Sequence, residues 1–469
     1  MSTTRQNGLT RRGHNLRRVR YLPRARLADM LEAIIWLSVA VVIALFLADS
    51  GAADFLSVAG SFTGAGIIAG LVGTNLLLIQ LLLAARLPVI DRAFGHDVAL
   101  ATHQKMGKPI FYLITAHVLL LWIGYALTAH TNPLAEVFVM LNTLPDMKTA
   151  YLGYGLLVLV VFTSLVVVRR KFPYETWHAV HLLAYLSVLV ALPHQFSTSR
   201  LFANGTGGRY YWLLLYFAVA AAVLVYRFLI PVLRTIRHGL RVSDVTAVAR
   251  GVYTIEMTGR GLVGLQARGG QFFVWRFFAH GQWWHAHPFS LSAAPAAQHL
   301  QVTVRELGRG TSGLGGLPVG TRVGIEGPYG LFTDRARTTG PAVAVAAGIG
   351  ITPILSLLEH GDFAAGEMTV IVRARDKSSL YLYEELQRLC AQKSAPLYVL
   401  LGRRPRNGGD TWLPAREANQ QVRLSTIVAD LADRDVFICG PRQWADLVVA
   451  DARRSGVKKF RIHRERFNW

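Results

Sequence analysis

Six stretches of the 469-residue chain stay apolar long enough to cross a bilayer: near 30–48, 64–85, 106–129, 150–168, 177–197 and 210–232. A helix needs roughly 20 such residues to span the hydrocarbon core. The pattern changes near residue 242, where GVYTIEM, GGQFFVWRFF, HLQVTVREL and RVGIEG alternate apolar with polar positions. That period of two predicts strands of a small antiparallel barrel. From residue 341 the pattern changes again, through PAVAVAAGIGITPILSLLEH, MTVIVRARDKSSLYLYEELQRL, APLYVLLGRR and DVFICGPRQWADLVVADARR. These runs predict strand–helix–strand units and a largely parallel sheet. The expected fold is a multidomain membrane protein. A basic segment at 1–29 precedes a six-helix all-α transmembrane bundle at 30–241; an antiparallel β-barrel follows at 242–338 and an α/β nucleotide-binding domain at 339–469.

Charge refines this picture. The chain is 52% hydrophobic with a formal net charge of +22. Such a charge would suit nucleic acid, but its placement argues against that partner. Arginines crowd the N-terminus (Arg5, Arg11, Arg12, Arg17, Arg18, Arg20, Arg24, Arg26) and alternate ends of the apolar runs. Arg86, Arg92, Lys105 and Lys108 follow the second run; Arg169, Arg170 and Lys171 follow the fourth; Arg234, Arg237 and Arg241 follow the sixth. The intervening loops carry only Lys148, Arg200 and Arg209. By the positive-inside rule both termini are cytoplasmic in a multi-pass plasma (inner) membrane protein. The Arg11–Arg12 pair would suit a translocation signal, but the further spans make that the poorer reading. Two cysteines, Cys390 and Cys439, imply no disulfide framework.

The apolar runs also carry histidines. His103 and His117 lie fourteen residues apart in the third run, and His181 and His194 thirteen apart in the fifth. At 1.5 Å per residue these separations are roughly 21 and 20 Å, so the pairs match in depth. The third and fifth runs point the same way, which sets His103 beside His181 on the inner side and His117 beside His194 on the outer. Thirteen residues turn an ideal helix off the required face, and Pro193 offers a kink that would restore it. Ionisable groups in a membrane are costly and mark functional pathways. A single histidine there can serve as a helix–helix hydrogen bond. Four at matched depths instead suggest two stacked bis-histidine b-type haems, because imidazole is a common axial ligand. His178 fits the spacing less well, and His96 and His130, at span ends, are expected to be solvated. The Gly/Ala-rich stretch 59–73 suggests close helix packing.

The soluble half holds two further motifs. His287-Pro288-Phe289-Ser290 places a hydroxyl and backbone groups beside a strand, and Gly310, Thr311 and Ser312 follow in RELGRGTSGL, ahead of GPYG. In this order they resemble the flavin-binding half of the ferredoxin–NADP reductase superfamily. The resemblance implies that HPFS lies along the flavin ring and ribityl of FAD and that the Gly–Thr–Ser segment meets its diphosphate. Gly348-Ile349-Gly350-Ile351-Thr352-Pro353 follows a strand and opens a helix, where glycines admit a pyrophosphate. The same resemblance sets Cys439-Gly440-Pro441 beside the nicotinamide and Arg403 at the adenosine 2′-phosphate, with Arg373 and Arg375 assisting. It favours NADPH, with NADH possible, and stacks the terminal aromatic, Trp469, on the flavin.

Residues 30–469 as a whole resemble the ferric reductase and NADPH oxidase flavocytochrome family, through HQKM at 103–106, His117, YETW at 174–177, His181, His194 and the soluble motifs. Animal oxidases carry another histidine one turn beyond the outer ligand of the third span, where this chain has Leu121. The resemblance implies an NAD(P)H-dependent transmembrane oxidoreductase: electrons pass from cytoplasmic NADPH through FAD and two haems to an acceptor outside. Dioxygen, giving superoxide, is the leading acceptor and a ferric chelate the alternative; a haem or ion carrier with a regulatory nucleotide domain is a rival of another class. The expected partners are the lipid bilayer and this acceptor, with no nucleic acid; any protein partner is left open.

Overall fold

The computed structural model describes residues 21–49, 51–169, 171–308, 310–405 and 411–465. Packing separates two compact units. One comprises Asp29–Leu87 and Val98–Tyr226, and the other Met1–Ala28, Pro88–Asp97 and Arg227–Trp469.

In chain order the helices are α1 (Leu22–Ala48), α2 (Val58–Ala84), α3 (Pro88–Phe94), α4 (His96–Ala129), α5 (Pro133–Thr143), α6 (Met147–Ser164), α7 (Tyr174–His181), α8 (Leu183–Thr198) and α9 (Gly207–Ala222). A π-helical turn, Val223–Leu229, then joins α9 to α10 (Ile230–His238). Among the described residues, six helical stretches are long and apolar enough to cross a membrane: Leu22–Ala48, Val58–Ala84, His96–Ala129, Met147–Ser164, Glu175–Thr198 and Gly207–His238. The chain is a multi-pass membrane protein. Its first span starts at Leu22, eight residues before the apolar run, so Arg24 and Arg26 lie on its first turns.

The helical unit is organised on α2. Its apolar window is 44% buried, against 6–22% in the other spans, which leave residues such as Trp36, Leu189 and Phe217 exposed on apolar faces. Glycines allow the close approach. A Cβ at Gly70 would stand 2.4 Å from the ring of His117, and one at Gly153 would stand 2.8 Å from Cβ of Ala191. Close packing is thus the role of the Gly/Ala stretch. Buried polar groups pair across helices: Asn75 donates to Ser38 Oγ at 2.6 Å and accepts from Tyr211 Oη at 2.8 Å. Pairing of this kind avoids stranding a polar group in hydrocarbon. Caps open α2 (Ser57 accepting from Gly60 N), α5 (Asn132 from Leu134 N) and α9 (Thr206 from Arg209 N).

The second unit contains the soluble half. Strands β1 (Arg241–Ala249), β2 (Val252–Thr258) and β5 (His299–Arg305) form one antiparallel sheet. A second contains β4 (His287–Ser290), β3 (Phe272–Phe277) and β6 (Val323–Tyr329). Bridges Arg241↔Arg322 and Leu291↔Val302 close the two seams, so the expected barrel is present. Phe273, Trp275, Phe277, Ile255 and Val302 fill its core. In the same unit α10 runs along β6: Thr235 Oγ1 accepts from Ile325 N, Arg227 pairs with Glu326 at 3.3 Å, and Arg234 donates to the Gly327 carbonyl.

The nucleotide half is a five-stranded parallel sheet in the order β11-β10-β7-β8-β9. These strands are β7 (Ala342–Ala347), β8 (Met368–Ala374), β9 (Leu397–Leu401), β10 (Asp435–Cys439) and β11 (Ile462–Glu465). Helices α11 (Ile351–His360), α12 (Tyr383–Gln392) and α13 (Arg442–Arg454) connect them. Burial on both faces of β7 explains its unbroken Ala/Val run. Order reverses at β7, between β8 and β10, and ligands of such sheets bind at the carboxyl ends beside that switch.

Candidate functional site

The expected iron ligands all lie in the helical unit. His103 Nδ1 meets the Gln80 carbonyl at 3.1 Å, and His117 Nδ1 meets that of Gly66 at 2.9 Å. His181 Nδ1 lies 3.1 Å from Ser164 Oγ, whose own proton goes to the Val160 carbonyl. The two carbonyls can only accept, and Ser164, with its proton on Val160, accepts as well, so Nδ1 carries the proton and Nε2 keeps the free lone pair, the form of imidazole that binds a metal. His194 Nδ1 is buried with no hydrogen-bond partner. His103 and His181 face each other with ring centres 6.1 Å apart. The break in the fifth span falls at Leu182, directly after His181, while α8 runs on through Pro193.

Trp177 stacks on His181 at 5.0 Å. His96 departs from expectation. His96 is buried, not solvated: it stacks on Tyr329 of GPYG at 5.1 Å and lies 5.8 Å from Phe272. Sequence spacing assigned it only to a helix end, because its partners come from the barrel.

In the barrel, β4 carries the HPFS motif against β3, with Trp275 opposite His287 and Phe272 opposite Ser290. Trp275 donates its indole proton to the Phe289 carbonyl at 3.0 Å, which fixes the strand. His287 and Phe289 stack in parallel at 5.4 Å, two residues apart on one face. Burial, then His285 and Arg276, pushes the His287 imidazole down to about 4, so it stays neutral at physiological pH. His287 Nε2 and Ser290 Oγ are buried without a protein partner. Such atoms are rare in native proteins and suit a polar ligand. Across the barrel, Thr311 Oγ1 accepts from Leu307 N and Gln282 donates to the Ser312 carbonyl at 2.8 Å, so the Gly310–Ser312 turn is held in place.

At the carboxyl end of β7, Gly348 adopts φ +57° with open space where a side chain would stand. A Cβ at Gly350 would lie 2.4 Å from the Cys439 carbonyl, so only glycine lets the two loops meet. Thr352 and Pro353 are buried, and the Thr352 hydroxyl donates to the Ile349 carbonyl at 3.0 Å; they shape the turn. Gly440 packs on Trp444, and Pro441 precedes the first residue of α13. Cys439 is buried, and burial, reinforced by Glu465, raises its thiol well above the usual range. It is a packing residue at the site, not a thiolate. Its register partner on β11 is Glu465, raised by burial and then by Asp97 and Asp91. Arg373, at the end of β8, donates to the Gly402 carbonyl at 3.0 Å, whereas Arg403 is exposed just past β9. Burial, then Arg404 and Arg375, lowers the Arg373 guanidinium. Trp469 lies outside the described residues.

Comparison with known proteins matches both halves. Residues 69–192 fit the family model "Ferric reductase like transmembrane component", and residues 344–450 fit "Oxidoreductase NAD-binding domain". Ferredoxin–NADP reductase B of Sorangium cellulosum is 30% identical over 192 residues, 38% of this chain and 77% of that protein. The chain belongs to the ferric reductase-type NAD(P)H-dependent oxidoreductases. It joins a ferric reductase transmembrane component to a ferredoxin–NADP reductase-like half that takes FAD and NAD(P)H. His103, His117 and His181 fall inside the first matched segment, and His194 two residues past it. Among other relatives, the flavohemoprotein of Xylella fastidiosa is 26% identical over 209 residues, 42% of this chain and 50% of that protein. The oxidoreductase thus spans about half the length of that relative. A flavohemoglobin structure from Malassezia yamatoensis aligns with 87% of this chain and 99% of its own at 17% identity, with TM-score 0.43.

Proposed function

We propose that the oxidoreductase moves electrons from cytoplasmic NADPH through FAD and two b-type haems to dioxygen on the outer face. The observation that carries this reading is the facing pair His103 and His181. Metal–imidazole bonds are about 2 Å and a ring nitrogen lies about 1 Å from its ring centre, so coaxial ligands hold their ring centres about 6 Å apart. The 6.1 Å found here fits one iron between them. The accepting groups at Nδ1 leave Nε2 free on three of the four histidines, which fits haem as well. His103 with His181 would hold the inner haem and His117 with His194 the outer.

Bound flavin would take two electrons as hydride and release them singly, and the haem irons would carry them across the bilayer. The protein's part is positional. His287, Pro288, Phe289 and Ser290 would line the flavin, with the Ser290 hydroxyl and His287 Nε2 facing its polar atoms. Gly310, Thr311 and Ser312 would receive the FAD diphosphate, and Gly348 and Gly350 that of the nicotinamide nucleotide. Arg403, which is exposed, would bind the 2′-phosphate, with Arg375 and Arg373 assisting; one terminal nitrogen of Arg373 donates to the Gly402 carbonyl and its Nε is buried without a protein partner. Trp469 follows β11, whose carboxyl end emerges beside Cys439 at the nucleotide loops, and would cover the flavin until nicotinamide arrives.

Cytoplasmic termini follow from the arginines at alternate span ends. Leu121 stands where animal oxidases have a histidine, and a ferric chelate would serve the same path. The test is anaerobic addition of NADPH to the purified protein, followed by superoxide and ferrous-iron assays in air. A b-type reduced-minus-oxidised spectrum and superoxide formation are expected. Absence of haem reduction overturns the path, and ferrous iron without superoxide overturns the acceptor.

A further inference from the structure

The inner histidine pair has neighbours that the outer pair lacks. The indole of Trp177 stacks on His181 with ring centres 5.0 Å apart and planes 26° apart. Above that indole lies the Arg169 guanidinium, 4.4 Å from its centre. This is a close cation–π distance. The third neighbour, Ser164 Oγ, accepts the His181 Nδ1 proton as a neutral group. Among the described residues, neither His117 nor His194 carries a ring stack or an overlying cation.

We propose that Arg169, acting through Trp177, raises the reduction potential at the inner histidine pair and so makes it the favoured electron acceptor for the soluble half. The inference rests on the bis-histidine reading above. Reduction places one electron on the ferric site and moves no proton in this step. A fixed positive charge nearby stabilises the added electron. The partner of the distal ring nitrogen, a neutral hydroxyl, opposes this only weakly. A carboxylate there would draw the imidazole towards imidazolate and favour the ferric state, whereas a serine hydroxyl does not. The stack holds the cation over the ligand ring that leads to the iron, and also prevents that ring from rotating. Trp177 and Arg169 are positioning residues. They touch neither iron nor acceptor.

The test uses full-length protein carrying His194→Ala, so that one haem remains at the inner pair. Haem content and the low-spin b-type spectrum are recorded first, followed by a spectroscopic redox titration. If the protein lacking only His194 holds no low-spin haem, the bis-histidine reading itself falls, and this inference with it. If it does, Arg169→Gln should lower the midpoint by up to tenfold in the one-electron equilibrium, about 59 mV. Arg169→Lys should retain most of the parent value. Added salt should narrow the gap between parent and Arg169→Gln, since Arg169 is exposed. Trp177→Leu should lower the midpoint as Arg169→Gln does; should that variant fail to hold haem, the surface change Arg169→Gln decides alone. An unchanged midpoint in Arg169→Gln with haem retained overturns the proposal. So does an Arg169→Lys midpoint as low as that of Arg169→Gln.

Discussion

The two halves of this oxidoreductase place their chemistry by opposite means. In the helical unit the candidate site consists of side chains, four imidazoles projecting from apolar helices, three of which are oriented by a neutral acceptor. In the nucleotide half the site consists mainly of backbone: Gly348 at a positive φ, Gly350 against the Cys439 carbonyl, and a helix N-terminus beyond them. A membrane interior requires each polar group to have a partner within the protein, so a few buried imidazoles are costly and stand out. A phosphate-binding turn needs the opposite, the removal of side chains so that amides can approach an anion. The difference teaches that one half should fail by loss of a ligand and the other by addition of an atom.

The sharpest separation comes from His103→Ala and His194→Ala. Each should remove one haem and abolish transfer to an outside acceptor, while flavin reduction by NADPH proceeds at the parental rate. Retention of two haems by either variant, read from the pyridine haemochrome and visible spectra, would break the ligand assignment.

The converse experiment adds one methyl group. Gly350→Ala places a Cβ about where the Cys439 carbonyl stands, with 2.4 Å between them, so the loop must shift. Flavin reduction by NADPH, followed by stopped flow, should slow at least tenfold, with both haems still bound and still reducible by dithionite. Parental kinetics in a folded protein would show that the two loops have room to give.

A smaller effect is expected at Arg403. Charge-assisted bonds to phosphate contribute about 1.5–3 kcal/mol, so Arg403→Ala should raise KM for NADPH roughly tenfold or more. KM for NADH should hardly change. Equal effects on both nucleotides would shift the role to Arg373 or Arg375.

Smallest at neutral pH, and seen only on acidification, is a pH dependence of the flavin domain without FAD. The His287 imidazole lies at about 4 in the folded protein, below its ordinary 6.5, because it is buried. As pH falls from 6.5 through 4 the unfolded chain takes up a proton that the folded domain resists, so stability is present above 6.5 and is lost on acidification. The loss is on the order of 3 kcal/mol across that window. His287→Asn should flatten this slope in thermal melts of the FAD-free protein, and FAD should shift its position. An unaltered slope would assign the acid sensitivity to other groups.

Much of this was legible in the chain itself. Six spans, an alternating barrel and a strand–helix domain follow from hydrophobic period, which depends on near neighbours along one segment. The meeting of His103 and His181 was legible too, because helical rise converts residue number into position along a helix. Some local features were misjudged from spacing. The helix assignment of the fifth span is interrupted at Leu182, a position that spacing did not mark, and His96 is buried rather than solvated. Its neighbours Tyr329 and Phe272 lie more than 170 residues further along the chain, beyond the reach of any local pattern.

What the sequence determined by itself was therefore one-dimensional: which segments are helix or strand, how far apart the histidines stand along a helix, and where glycines free the backbone. Tertiary structure alone decided which atoms meet. It selected Gln80, Gly66 and Ser164 to orient three imidazoles, and it set the Cys439 carbonyl against Gly350. It also put Trp177 over His181 and Arg169 over Trp177. The physical reason is that periodicity records only whether a position faces apolar or polar surroundings. The chemistry of a site depends on which donor, acceptor, ring or charge supplies that surrounding, and those groups come from segments brought together only by packing.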